Sequence, residues 1–576
     1  MAEVPALVHP TTGRTLAPSM PMSAPPPSGG ALTGSTATSR MRAGLSGTGS
    51  LTPYDAADPW SQELQSWTPY LGSPDTDGNP YRNFIVSRLR DMVRNDGWAA
   101  GSVTAWLDNV IGAGFRFIAK PDWRALSLEA SGFDPVWARE YQNVVQAELR
   151  LWAEDVGKNC DLSRRMSWKE MSRLGARTLF VEGDAIGVTH WRPNRVLNGT
   201  SRFGTCVQIV DPDRLSNPFG FADSQYLRGG VQIDDDGVAV AYQFRCAHPA
   251  QYMERDKTFR WEPVARETPW GRPNVVHYFD GHRADQHRGF GGVLTPVLAR
   301  LKMLARYDSV ELQAAIINAV LAAYIESPQD QDTVNNALET QLSGGDPKNS
   351  PLGVYEELRA QYHDVAKIKL NGARVPRLFQ GEKIHLAAPT RPAQQFAAFE
   401  GAMLRNVAAA TGLSYTQISK DYSQTNYSSE RAAMIETYKN IGRVRLGFGE
   451  GFCLPILGCV IEEMFAGGRV PLPRNAPPFA AMRTAYTRAR LLGPGRGWID
   501  PVREAQAAVM RMDAGLTTLE DECGEQGGDW EEVLYTRAVT LALYRELNLP
   551  LPKWSGAAVV AQSPDAHQLA EKPQAV

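Results

Sequence analysis

One run of 31 residues without glycine or proline, Val297 to Ser327, constrains this chain more than any other stretch. An average helix in a globular protein has about 11 to 12 residues, so the run predicts one very long helix or two nearly collinear ones. Its second half is rich in alanine, which indicates close packing against neighbouring helices. The alanines lie at positions 314, 315, 319, 322 and 323.

Two further long helices are predicted in the second half of the chain, on either side of a polar segment. One runs from Ala393 to Thr411 and ends at Gly412, a residue that suits the left-handed conformation after a helix end. The other begins near Ser428 and continues past Arg445. Ser414 to Tyr427 lies between them and is expected to form a polar loop.

Strands are predicted mainly between residues 185 and 280, where short β-branched or aromatic runs alternate with turn residues. Asp236 and Gly237 are typical of a hairpin turn. The predicted strands are Ala185 to Trp191, Cys206 to Val210, Val231 to Ile233, Val238 to Arg245 and Asn274 to Phe279. Helices are expected before them, over Pro135 to Glu154 and Trp168 to Val181. Strands and helices in separate stretches predict an α+β fold.

The C-terminal part is predicted to be helical. Pro501 fits the first position of a helix that continues to Asp513. Thr517 and Glu520 have the spacing of a capping box for the next helix.

Both ends of the chain are predicted to be flexible. The first fifty residues contain seven each of proline, glycine, serine and threonine, no aromatic residue and four charges. Such a segment cannot bury enough surface to offset the entropy of ordering it. We therefore expect a disordered arm over residues 1–52 and a second flexible tail from about Leu549.

Charge and cysteine content exclude several classes of protein. The 60 basic and 63 acidic residues give a net charge of −3, which argues against a binder that grips nucleic acid through a large positive field. The six cysteines form no CxxC pair, so a reducing compartment is expected. Leu312 to Ile325 is taken as the most apolar helical stretch, and its 14 residues are too few to cross a membrane.

Motifs that would indicate an enzyme are absent from the sequence. There is no GxxxxGK[ST] loop for a triphosphate, no GxGxxG, no GxSxG and no HExxH. We therefore expect no catalytic residue, no metal site and no cofactor.

Two groups of residues could nevertheless carry chemistry. His277, His282 and His287 are spaced by five, which could supply a metal site but is wrong for one helix face, so surface or interface histidines are expected. Asp211 and Asp213 could form an acid pair. The alternative is a turn in which Asp213 binds Arg214 or the backbone.

Four stretches carry a resemblance to a known family. They are Leu413 to Arg431, which reads LSYTQISKDYSQTNYSSER, Val210 to Pro218, which reads VDPDRLSNP, Gly289 to Leu304, and Trp498 to Trp530. Together they resemble the portal proteins of tailed bacteriophages, in particular the lambda-type family.

The resemblance implies a homo-oligomeric ring, usually a dodecamer, at one vertex of the capsid in the virion, assembled in the host cytoplasm. Such a ring passes double-stranded DNA during packaging and ejection and has no enzymatic activity of its own. Its implied partners are the terminase large subunit, a head-completion or tail connector protein, and the major capsid or scaffold protein. No membrane is involved.

The resemblance also implies a portal architecture, with an α/β wing, long stem helices, a small clip and a helical C-terminal part. The implied regions are a disordered arm (1–52), wing (53–290), stem helix (291–328), clip (329–392), second stem helix (393–412), tunnel loop (413–427), long helix returning to the wing (428–470), helical C-terminal wing or crown region (471–548) and flexible tail (549–576).

The tunnel loop is implied to face the DNA. Between Ser414 and Tyr427 its only charged residues are one lysine and one aspartate, which suits sliding better than gripping. The implied contact residues are Tyr415, Lys420, Tyr422, Gln424 and Asn426. The alternative is that these side chains cap helices and fill gaps between subunits.

Two other functions stay open at this point. One is another structural virion protein, of the shell or the tail. The other is a packaging enzyme subunit, against which the missing phosphate-binding loop argues.

Overall fold

The computed structural model describes residues 66–321, 396–423, 425–497 and 500–552, with short pieces at 56, 64, 358, 361, 368–370, 373–375 and 554. The chain divides into two units, residues 1–71 and 72–576. The described part of the first unit, mainly residues 66–71, contains no regular helix or strand. The predicted arm, most of the predicted clip and most of the predicted tail lie outside the described residues.

Helices make up most of the second unit. The described helices are α1 (Pro74–Gly78), α2 (Arg82–Asn95), α3 (Gly97–Val110), α4 (Trp123–Ser127), α5 (Pro135–Ala153), α6 (Trp168–Glu182), α7 (Pro193–Leu197), α8 (Arg255–Thr258), α9 (Leu298–Leu321), α10 (Phe396–Thr411), α11 (Tyr415–Ser419), α12 (Tyr427–Phe448), α13 (Leu454–Ala466), α14 (Arg483–Thr487), α15 (Pro501–Asp513), α16 (Leu519–Glu525) and α17 (Trp530–Glu546).

The described strands form small antiparallel sheets. They are β1 (Arg116–Ala119), β2 (Ala185–Trp191), β3 (Thr205–Ile209), β4 (Leu227–Arg228), β5 (Val231–Ile233), β6 (Ala239–Arg245), β7 (Trp261–Ala265), β8 (Val275–Tyr278), β9 (Ile368–Leu370), β10 (Ala373–Val375) and β11 (Ala489–Leu492). Their orders are β3-β2-β8, β4-β5-β6-β7, β1-β11 and β10-β9. The mixture of helices and small sheets confirms the predicted α+β class.

Local sequence signals explain where several elements begin and turn. Ser167 and Glu170 form the predicted capping box at the start of α6. The hairpin turn at Asp236 and Gly237 joins β5 to β6, and Gly237 has a φ of 79°, which only glycine adopts freely. The predicted capping box of Thr517 and Glu520 is wrong by one residue. Thr518 caps α16 and accepts a hydrogen bond from the backbone of Asp521.

One helical run, Ser428–Ala466, is by length and composition apolar enough to cross a membrane. It comprises most of α12, a π-helical turn (Gly449–Cys453) and α13. The predicted apolar stretch Leu312 to Ile325 cannot be compared with it in full, because residues 322–325 lie outside the described residues. The π-helical turn and α13 are apolar because they form the centre of the core, with Phe452, Ile456 and Val460 fully buried.

The core has two parts. A large cluster joins α2, α3, α5, α6, the start of α9, α10, α12, the π-helical turn and α13. A smaller cluster includes Ile186, Val231 and Phe244 and lies among residues of β2, β5 and β6. The helices thus supply most of the buried apolar side chains, and the strand residues Ala185, Val207 and Val276 pack into the same large cluster.

Candidate functional site

The segment between α10 and α12 is folded back onto both long helices. Gly412 follows α10 with a φ of 66°, and it lies directly against the side chain of Asn440 on α12. A side chain at this position would meet both a strained backbone and the Asn440 amide. Leu413, the next residue, is buried in the large core cluster. The base of the segment is therefore part of the packed structure.

The predicted polar loop contains a short helix, α11. Ser414 and Gln417 form a capping box at its start, with hydrogen bonds of 3.2 Å in both directions. Thr416 and Ile418 are buried, and the Thr416 hydroxyl donates to Oε1 of Glu430 on α12 at 2.9 Å. The expectation of a loop throughout 414–427 is wrong for these residues. The Ser-x-x-Gln pattern was the signal for the helix.

The described residues between α11 and α12, at 420–423, 425 and 426, form a turn that is exposed except at half-buried Thr425. Lys420 ends α11 with a φ of 57° and is exposed. Hydrogen bonds from the side chain and backbone of Ser423 hold the pKa of Asp421 below its ordinary value. Asn426 caps α12, with its Oδ1 accepting from the backbone of Ser429 at 2.9 Å. The turn is shaped by its own side-chain hydrogen bonds.

The five predicted DNA-contact residues differ in how exposed they are. Lys420 and Tyr422 are exposed, and Tyr422 keeps 54% of its surface accessible. Tyr415 is half-buried against the core, and exposed Asn426 caps α12 through its Oδ1. Contact of any of these residues with DNA stays a prediction. Gln424 lies outside the described residues.

A buried charge network near the chain segment that leads into α9 was not predicted from the sequence. Asp184, fully buried after α6, pairs with Arg288 at 3.0 Å, Arg82 at 3.6 Å and His277 at 2.9 Å. Burial raises the pKa of Asp184, but Arg288, His277 and Arg82 outweigh it, so the pKa lies well below its ordinary value. The network joins α2, α6 and β8 to the chain segment that leads into α9.

The structure corrects the assignment of His277 and gives His287 a carboxylate partner. The side chain of His277 is 2% exposed and bonded to Asp184, so it is not at the surface. The Nδ1 atom of His287 lies 2.7 Å from Oδ2 of buried Asp75. His282 is exposed, as expected. Long-range carboxylate partners hold the buried ring of His277 and the half-buried ring of His287, and no local pattern reveals such partners.

Asp213 also has different partners from those predicted. It binds Arg90 at 2.6 Å and Arg82 at 3.2 Å, both on α2, and not Arg214. Asp211 accepts from the Asp213 backbone at 2.9 Å, which confirms the predicted turn. Together with His248 these carboxylates could hold a metal ion by spacing. Two arginines already compensate Asp213, so the arrangement is a network of ion pairs.

Comparisons with known proteins identify the family. A family model described as "Phage portal protein, lambda family" matches residues 61–445. The "Portal protein" of Escherichia phage N15 is 32% identical over 87% of this chain and 91% of that protein. "Portal protein B" of Escherichia phage lambda is 31% identical over 86% of this chain and 90% of that protein.

Solved structures give a weaker similarity. A chain from the "Neck of empty GTA particle computed with C6 symmetry" is 16% identical, with a TM-score of 0.35, over 80% of this chain and 96% of that one.

The sequence matches decide between the open functions. The matched family is structural, and its members are portal proteins rather than shell, tail or packaging-enzyme components. The matched residues span both predicted stem helices and the segment between α10 and α12. The chain belongs to the lambda family of phage portal proteins.

Proposed function

We propose that this portal protein, a virion component, forms a closed dodecameric ring at one vertex of the capsid, assembled in the host cytoplasm. Double-stranded DNA passes through the ring during packaging and ejection. The terminase large subunit docks on the ring first, and a head-completion or tail connector protein replaces it. The major capsid or scaffold protein surrounds it.

The observation that carries this proposal is the apolar surface that the described parts of the long helices leave exposed. On α9, Leu301 and Leu304 face the core, yet Met303, Leu312 and Ile316 are 71%, 64% and 48% exposed. A helix that is apolar on more than one side needs more than one neighbour. Ile435 and Leu446 on α12 are likewise exposed. Packing copies of the chain side by side would cover these side chains.

The regions of the subunit follow the same proposal. Residues 53–290 form the wing, 291–328 and 393–412 the stem, and 329–392 the clip. Residues 428–470 return to the wing, and 471–548 form the C-terminal wing or crown region. The exposed residues 420–423 and 426, within the tunnel loop 413–427, face the channel. Lys420 and Asp421 balance each other there, which favours weak contact with passing phosphates.

A variant of α9 tests the ring. Leu312→Asp combined with Ile316→Asp places two charges on its exposed apolar face. We expect the wild-type chain to give a ring of about 760 kDa by light scattering, which is twelve copies of 63.3 kDa. The double variant should stay monomeric but folded. Val156→Asp, at another exposed apolar residue, is the matched control and should still form rings. Full assembly of the double variant would contradict the proposal.

A further inference from the structure

The three C-terminal helices are attached to the rest of the subunit mainly through polar contacts. Residues 500–546 are all described, and Glu531 is the only residue of α15, α16 or α17 that is buried. Ion pairs connect this layer to the body, among them Arg116 to Glu532 at 2.7 Å and Lys120 to Glu520 at 2.5 Å. The layer therefore keeps its apolar side chains available for another contact.

Helix α15 has one face on α12 and an apolar face pointing away from it. Glu504, Ala507, Ala508 and Arg511 line a groove of about 140 Å³ together with residues of α12. Val502 and Val509 are exposed. At 100° per residue they lie opposite the groove-lining residues. We call Val502 and Val509 the α15 outer face.

Helix α17 shows the same division. Val533, Leu541 and Tyr544 are partly covered on one side. Tyr535, Val539 and Leu543 are spaced by four residues on the opposite side and are 57%, 68% and 50% exposed. We call these three the α17 outer face. One subunit thus presents two different apolar faces in the same layer.

The size of these faces indicates what covers them. Five side chains at roughly 60–100 Å² of apolar surface each give about 400 Å². A stable interface takes about 800 Å² from each partner, so the layer is too small to hold a separate partner alone. It fits a neighbour that another interface already holds in place, and two different faces on one subunit suit the head-to-tail contact of a closed ring.

We propose that the α15 outer face of one copy packs against the α17 outer face of the next copy around the ring. This inference rests on the proposed ring and adds a second contact, separate from that of the long helices. The C-terminal layer would then link neighbouring subunits after the long helices have brought them together.

Cysteine cross-linking tests the contact directly. Val509→Cys and Val539→Cys are introduced together in the full chain. Rings are separated by size, identified by their light-scattering mass, and treated with a short bismaleimide. We expect a ladder of covalent oligomers from the double variant on a denaturing gel. Each single variant is a matched control that carries the same native cysteines and should give no ladder.

Each outcome separates the two proposals. Rings without a ladder would overturn the C-terminal contact and leave the ring intact. Linked dimers from Val539→Cys alone would mean that α17 meets its own copy, which also overturns it. Absence of rings from the wild-type chain would instead overturn the proposed function.

Amide hydrogen exchange on the unmodified protein gives a second measurement. Residues 535–543 should exchange at least tenfold more slowly in rings than in monomers, because a neighbour covers them. Equal exchange rates in the two states would contradict the contact.

Discussion

The π-helical turn with α13 and the C-terminal layer of α15, α16 and α17 are stabilised by different kinds of contact. The π-helical turn and α13 are surrounded by apolar side chains, with Phe452 packed against Gly175 and Gly187. The layer of α15, α16 and α17 is held mainly by exposed ion pairs, each of which contributes about 0–1 kcal/mol. The central helices are thus stabilised by an apolar core of the subunit itself, whereas the layer has almost no buried side chain that attaches it to that core.

The largest expected effect comes from the core. Phe452→Ala removes a fully buried ring, and the remaining cavity should lower the free energy of unfolding by about 3–5 kcal/mol. Val509→Ala on the α15 outer face should change it by less than about 0.5 kcal/mol in the monomer. Urea denaturation followed by circular dichroism measures both. Equal losses of unfolding free energy in the two variants would contradict the difference between the core and the C-terminal layer.

The buried charge network should give the next largest effect. Asp184→Asn removes the carboxylate that pairs with buried Arg288, while Arg82 keeps its ion pair with Asp213. The loss should cost about 3 kcal/mol of unfolding free energy. Asp256→Asn, at an exposed position, is the matched control and should cost almost nothing. A cost below 1 kcal/mol for Asp184→Asn would show that the network is not needed for stability.

Acid should weaken the body through the same network. The folded pKa values of Asp184 and Asp213 both lie below the ordinary value near 4. Their stabilisation is therefore fully present above about pH 4 and is lost as the pH falls through the folded values. Urea midpoints at pH 7, 5, 4 and 3 measure this. The Asp184→Asn variant should show a shallower loss below pH 4, and an unchanged loss would contradict the assignment.

A smaller effect is expected from the attachment of the layer. Arg116→Ala removes the ion pair to Glu532, and both side chains are half-exposed. Global stability should fall by less than about 1 kcal/mol, while amide exchange across α17 in the monomer becomes faster. Arg503→Ala, at an exposed arginine paired only three residues away, is the control. Faster exchange throughout the body would show that layer and body unfold together.

The smallest effect on stability is expected from the exposed turn. Lys420→Ala and Tyr422→Ala should each change the free energy of unfolding by less than about 0.5 kcal/mol and leave ring assembly intact. Packaging of DNA into particles should nevertheless change if these side chains face the channel. Thr416→Val, which breaks the buried bond to Glu430, provides the contrast because it should destabilise the fold. Unchanged packaging in both surface variants would count against a channel position.

Local patterns predicted the fold where local interactions decide it. The predicted helix from Pro501 to Asp513 and the strand from Ala185 to Trp191 have the bounds found in the structure. The capping box of Ser167 and Glu170 was visible because both partners lie within one turn.

Long-range pairing could not be predicted in the same way. The partners of Asp184 lie about 100 residues away on either side, at Arg82, His277 and Arg288. Tyr415 is half-buried because it packs against the core. This contact also depends on tertiary packing, so the sequence did not predict it. The short helix α11 was also missed, although its capping box of Ser414 and Gln417 is a local signal that is present in the sequence.

The native mass of the assembled full chain, with images of the same sample, tests the central claim most directly. The proposed ring predicts a closed particle with a central channel and a mass of about 760 kDa, or twelve copies of 63.3 kDa. A species that stays at 63.3 kDa even with capsid and scaffold proteins present, or that grows into tubes or lattices, would contradict it.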